Sequence, residues 1–193
     1  WGIDAFRYYM LRELDIGPDG NWTDGVFETR YAAELANGIG NLVNRSLSML
    51  NRYRDGEVPP VCNELEKEVA EASKEVVKLS RNHKLQGALK RIWELIARIN
   101  QYIDQTAPFK LAKDPDQSQR LGEILYTLTE SCRVIAVLLN PYLPGTSQKI
   151  YDQLGLEDEP SLFEKASWGG MLPGHVIGKP QPLFPRKDQP AKK

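Results

Sequence analysis

The sequence has 193 residues, 41% of them hydrophobic, and its 25 Lys and Arg against 26 Asp and Glu leave a formal charge of −1. That length holds one ordinary core with an appendage, and the charge balance excludes a protein that coats nucleic acid nonspecifically, which needs a strongly basic surface. Two cysteines (Cys62, Cys132) and two distant histidines (His83, His175) cannot supply the four clustered ligands of a structural zinc, and no apolar run approaches the ~20 residues of a membrane span.

In chain order, IDAFRYYMLREL (3–14) predicts a short helix with Ile3, Phe6, Met10 and Leu11 at helical spacing and Asp4 favouring its first turn. DIGPDGNWTDG (15–25) is dense in turn formers and breaks it. A second helix is expected over 26–51, with Ala32, Leu35, Ile39, Leu42, Ser46 and Met49 as its apolar stripe. The Asp55-Gly56 and Pro59-Pro60 pairs stop it. It contains ELANGIGNLVNR, where Gly38, Gly40 and three asparagines are poor helix formers.

A third helix opens near Asn63 and carries Leu65, Val69, Ala72, Val76 and Leu79. A fourth, over 84–105, carries Leu85, Leu89, Ile92, Ile96, Ile99 and Ile103. A fifth follows KDPDQS with Leu121, Ile124, Leu128, Cys132, Ile135 and Leu139, Cys132 being a small core residue. Each stripe reads as a narrow seam packed at a shallow angle. A shorter sixth helix is expected over 145–154. No period-2 strand pattern occurs before Gly155. The fold class is therefore all-α, an antiparallel helix bundle, and the Pro/Gly-rich residues after 155 form an extended tail over it. KDQPAKK, at the end, is expected to be disordered. The chain opens on Trp1 without a signal peptide and reads as a segment of a longer, cytoplasmic protein in a reducing setting.

Catalytic groupings are missing. NGIGN lies within a helical stripe and does not follow a strand, so it is no phosphate loop. His83 is an ordinary helix-corner residue. Two places could instead bind an unpaired base. Asn41 and Arg45 stand one turn apart on one helix face, and an amide with a guanidinium can read a base edge. Spacing alone favours the plainer reading, a solvated face. In DQTAPFKLAKDPD, Pro108 forbids helix continuation and leaves Phe109 beside a break, flanked by Lys110 and Lys113. Such a ring can stack on a base while lysines meet phosphates; a single phenylalanine in a short loop more often plugs the bundle end. KLSRNHKLQGALKR (78–91) is locally basic and reads most simply as a solvated corner.

Taken together and in order, GIDAFRYYMLREL, YAAELANGIGNLVNRSLSML, YIDQTAPFKLAKD, LLNPYLPGTSQKIYDQLGL and LPGHVIGKPQPLFPR resemble the C-terminal part of a bacterial methionyl-tRNA synthetase, a class I synthetase family. The resemblance covers nearly the whole chain. It implies that 1–25 ends a stem-contact region and hinges to a catalytic domain outside this chain. It implies further that 26–155 is an anticodon-binding bundle and that 156–193 folds back on it. The family ligates methionine to its tRNA with ATP and Mg. The HIGH and KMSKS motifs of that chemistry are absent here, so no cofactor, metal site or catalytic residue is expected in this chain. The partners implied are the anticodon loop (CAU) of methionine tRNA and the rest of the same protein. The family pattern N-L-x-x-R matches Asn41, Leu42 and Arg45, which gives Asn41 and Arg45 the role of anticodon readers. A-P-W matches Ala107, Pro108 and Phe109, with phenylalanine where tryptophan is usual. Pro108 and Phe109 then line the same pocket, and Lys110 and Lys113 are phosphate contacts. The alternative is a helical protein–protein interaction module using the same faces, and a stand-alone helical enzyme is the weakest reading.

Overall fold

The computed structural model describes residues 1–13, 23–157, 159–161 and 163–185. The predicted 15–25 turn lies mostly outside them, and the expected disorder of the last residues lies wholly outside. The helices are α1 (Ile3–Glu13), α2 (Asp24–Arg30), α3 (Asn41–Arg54), α4 (Glu66–Arg81), α5 (Leu85–Thr106), the single turn α6 (Pro108–Leu111), α7 (Ser118–Leu139) and α8 (Pro144–Leu154). The described residues contain no strand, only one antiparallel bridge between Glu57 and Val176. Short links set the directions. Arg91 pairs with Glu75 and Arg98 with Glu68, so α4 and α5 run antiparallel as the sequence predicts.

Between α2 and α3 the chain stays helical but widens, forming a π-helix over Tyr31–Gly40. This is the stretch of poor helix formers. A π turn spends one extra residue per turn, so the inward face becomes Phe27, Tyr31, Leu35 and Ile39 before α3 resumes with Leu42, Val43, Ser46 and Leu47. Ala32 is exposed, which corrects its place in the predicted stripe. Two carbonyls of the wide segment accept from α5: that of Glu34 from the Trp93 indole at 3.1 Å, and that of Gly38 from Asn100 at 3.4 Å. The two glycines differ. A Cβ on Gly40 would lie 3.0 Å from the Leu35 carbonyl oxygen, five residues back, whereas on Gly38 it would make ordinary contact with Trp93.

One other expectation changes. In α1 the buried residues are Ala5, Tyr8 and Tyr9, while Ile3 is 80% exposed and Phe6 half-exposed. Tyrosine wins the inner face because its hydroxyl finds a partner: Tyr8 donates to Glu34 at 2.6 Å and its ring packs on Trp93. Asp4 stands in the first turn of α1 as expected and has a second use. Its carboxylate accepts from the backbone and hydroxyl of Thr146, capping α8 and tying α1 to it.

The largest departure from the narrow-seam expectation is α7, which is buried on every side from Leu121 to Leu139 except at Glu123. Burial pushes the Cys132 thiol up to about 12, which makes it an inert core residue. Glu130, fully buried, pairs with Arg133 and accepts from the backbone of Gly169, Gly170 and Met171. Arg133 in turn donates to the carbonyls of Lys165 and Ser167. Met171, Ile177 and Leu183 enter the core, and the Tyr31 hydroxyl donates to Pro185. Farther along, Arg120 of α7 holds Glu64 bidentately at 2.7 and 2.9 Å, and Tyr102 of α5 donates to the same carboxylate. Those bonds, the Arg120 pair foremost, draw the Glu64 carboxyl below its usual range against a smaller opposing effect of burial.

Three expectations follow. Glu130→Ala leaves Arg133 buried without its counter-charge and should cost about 3–5 kcal/mol in urea unfolding. Gly38→Ala should stabilise by about 0.5–1 kcal/mol from helix propensity, while Gly40→Ala should lose that gain against the Leu35 carbonyl. Glu64 is depressed in the folded state, so its contribution is present above the unfolded value of about 4.3 and fades as pH falls through the lower folded one. Thermal melts of Arg120→Ala should therefore lose less stability between neutral and acid pH than the native chain.

Candidate nucleic-acid interface

The first helix of the bundle and α5 run parallel along one seam, as first and third helices of an alternating bundle must. The bonds Glu34–Trp93, Asn41–Asn100 and Arg45–Asp104 all join residues 59 apart in the chain. This register presents a polar ridge. The Asn41 amide donates to the Asn100 amide oxygen at 3.2 Å, and Asn100 is itself held by the carbonyls of Ile96 and Gly38. One turn on, Arg45 donates to Asp104 at 2.8 Å, with the guanidinium one-third exposed and the carboxylate two-thirds exposed. An exposed pair of this kind is worth only ~0–1 kcal/mol, so an incoming acceptor can replace it. Asn41 keeps its amide oxygen for a donor, and Arg45 keeps further N–H groups of its fork.

Less than one turn after Asp104 the ridge ends. Ala107 takes a left-handed conformation at φ 44°, and Pro108 starts α6. The sequence forces the break here because proline cannot continue α5. Pro108 is buried and shapes the turn from beneath. Phe109 follows it 46% exposed, an aromatic face open to solvent at the end of the ridge. Asp104 is the link between Arg45 and this turn. Lys110 and Lys113 are exposed and, among the described residues, enter no ion pair. Next to them Asp114 folds back to accept from the Asp116 backbone at 3.0 Å, so the cations stand beside acids and the charge here stays local.

The α5 end is braced from behind by the Tyr102–Glu64–Arg120 network. Cavities of about 600, 370, 760 and 780 Å³ lie elsewhere, and none is lined by Asn41, Arg45 or Phe109. With Arg45 partly and Phe109 nearly half open to solvent, the ridge is a surface suited to a splayed-out group. Trp93, Asn100 and Asp104 escape a reading of α5 by its apolar stripe. Their signal was the spacing of seven and four residues that puts all three on one face, matching Asn41 and Arg45 turn for turn.

Comparison with known proteins bears on the fold and the family. A family model described as the anticodon-binding domain of tRNA ligase matches residues 63–170, more than half of the chain, and one described as class I tRNA synthetases (M) matches residues 1–47. Methionine–tRNA ligase of Lactococcus lactis is 40% identical over 196 residues, covering 97% of this chain and 29% of that protein. The Bacillus subtilis enzyme is 40% identical over 194 residues, again with 29% of its length covered. Among solved structures, the apo form of Mycobacterium tuberculosis methionyl-tRNA synthetase superposes with a TM-score of 0.86 at 32% identity, over 98% of this chain and 40% of that one. The same enzyme with methionyl-adenylate gives 0.84 at 32% identity, over 96% and 38%. The chain therefore spans under a third of the length of these curated relatives and under half of these solved chains. Its all-α bundle, its ordered motifs and the matched model together place it: the chain belongs to the family of anticodon-binding domains of tRNA ligases.

Proposed function

We propose that this chain recognises the CAU anticodon loop of methionine tRNA on behalf of a cytoplasmic methionine–tRNA ligase of which it forms part. The observation that carries the reading is the Asn41–Asn100, Arg45–Asp104 ridge ending at an exposed Phe109. Asn41 and Arg45 read base edges, with the weak Arg45–Asp104 pair giving way to a base acceptor. Phe109 offers its face to an unpaired base, and Pro108 fixes that ring's position from below. Lys110 and Lys113 meet phosphates, which position the loop without specifying it. Recognition by base edges and stacking needs no strongly basic surface, in keeping with a formal charge of −1.

In this reading residues 26–155 are the RNA-reading unit, 1–25 lead to the catalytic part, and 156–193 form a tail lying back on the bundle. Ligation with ATP and Mg belongs to that catalytic part. The NGIGN stretch does not make a phosphate loop, since it lies inside a helical run and not between a strand and a helix. A protein-recruiting use of the same face is not favoured by the matched family.

Titration of a methionine-tRNA anticodon stem-loop tests the reading. Arg45→Ala should lose ~1–3 kcal/mol of binding and Phe109→Ala a similar amount through stacking, while Phe109→Trp, with its larger face, should tighten it. Equal affinity for a CAU loop and a scrambled loop would remove the assignment.

A further inference from the structure

Two of the ridge side chains have a polarity that can be reversed, and two do not. Arg45 offers only donors and the Asp104 carboxylate only acceptors, whereas the amides of Asn41 and Asn100 can each be turned end for end. Asn100 has lost that freedom. Its Nδ2 donates to the carbonyl of Ile96, one turn back in α5, at 3.2 Å and to that of Gly38, across the seam, at 3.4 Å. The Gly38 carbonyl already accepts from the Asn41 backbone N–H and turns its second lone pair to α5. Both carbonyls can only accept. Reversing Asn100 would set its oxygen against two others, so Oδ1 must face Asn41, where it accepts from Nδ2 at 3.2 Å. Reversing Asn41 would in turn oppose two amide oxygens. The order of donor and acceptor thus passes from two backbone carbonyls through Asn100 to Asn41.

Asn41 is half-buried, and the bond to Asn100 occupies one of its two N–H groups. Its Oδ1 is left as an acceptor whose place does not change, and one turn on Arg45 supplies donors. Bases come in two kinds along the Watson–Crick edge. Cytosine and adenine set an amino group beside a bare ring nitrogen, while uracil and guanine set a carbonyl beside a ring N–H. The first kind gives its amino hydrogen to the Asn41 oxygen and its ring nitrogen to Arg45. The second kind meets that oxygen with its carbonyl and Arg45 with an N–H, acceptor against acceptor and donor against donor. An asparagine free to flip its amide would read both kinds, and a locked one reads a single kind. We infer that Asn100 is a positioning residue: by fixing the Asn41 amide it makes the ridge accept an amino-bearing base, cytosine or adenine, and reject the keto base of the same ring size, uracil or guanine. This role rests on the proposed reading of the anticodon by the ridge, and CAU holds two bases of the accepted kind.

Anisotropy titrations of the whole chain with labelled anticodon stem-loops test this role. The loops are CAU, its transitions UAU and CGU, which exchange amino for keto at constant ring size, and a scrambled loop. The native chain prefers CAU to at least one transition loop by about tenfold or more, as a paired base contact gives. Asn100→Leu keeps much of the side-chain shape but holds no polarity, so Asn41 is free to flip. That variant binds the disfavoured transition loop more tightly than the native chain does, and the preference falls by about tenfold. Asn100→Ala gives the same result and serves if the leucine variant loses its cooperative melt by circular dichroism. Asn100→Asp keeps an acceptor toward Asn41 and so keeps the ratio, whatever its charge does to both affinities. A purely structural role for Asn100 would weaken all loops in proportion, and that outcome overturns the proposal. So does an unchanged ratio in the leucine and alanine variants, or a lost ratio in the aspartate one. A native chain that rejects the scrambled loop but binds UAU and CGU as tightly as CAU sinks this role alone. One that binds CAU and scrambled loops equally sinks the anticodon reading with it.

Discussion

The carboxylate of Glu130 has no access to water, and the order of much of the molecule depends on it. An isolated buried charge is prohibitively costly, so Glu130 must be surrounded by donors, and it is. Arg133 one turn away supplies the counter-charge, and three successive backbone N–H groups of 169–171 complete its shell. Arg133 is then satisfied by carbonyls of 165 and 167. The pair thus ties the 3-10 turn at Phe163–Ala166 and the irregular chain after it to the middle of α7. That tie is what allows α7 to be covered on all sides, because the segment brings Ala166 and Met171 over a face that no α-helix occupies. Gly170 has a reason in the same place, since a Cβ there would fall within contact distance of the Arg133 guanidinium.

A centrally buried α7 leaves the other helices to arrange around it, and the seam with α5 decides what the surface presents. The π segment is the adjusting element. Its wide turns leave carbonyls for Trp93 and Asn100 to bond, and those bonds lock the register between the first long helix and α5. With the register locked, Asn41 meets Asn100 and Arg45 meets Asp104. The poor helix formers are therefore not a flaw tolerated by packing alone: they permit a helical form that a run of good α-formers would resist.

Charge is used locally throughout. Arg30, Arg91, Arg98, Arg120 and Arg133 are each committed to carboxylates within the fold. Among the cations left outside that scheme are Lys110 and Lys113 beside Phe109. A nearly neutral chain can in this way keep cations beside one exposed ring without becoming a general polyanion binder.

Much of this was legible in the residues. Helix order, the Pro108 break and the core place of Cys132 follow from apolar periodicity and proline chemistry, because those are local properties, while Asn41, Arg45 and Phe109 were named as candidates through motif resemblance. What was not legible depended on long-range partners. Ala32 faces water because the π turn shifts the stripe. Ile3 and Phe6 face out because Tyr8 finds Glu34. Asp4 caps a helix more than a hundred residues away. Asn100 and Asp104 gained meaning only when the parallel seam set them against Asn41 and Arg45. The sequence by itself determined which segments are helical and where they stop, since each turn's bonds lie within a few residues. Only the tertiary structure decided where an inward face departs from its apolar stripe and which polar groups meet, since burial and pairing are settled between segments that the chain brings together from afar.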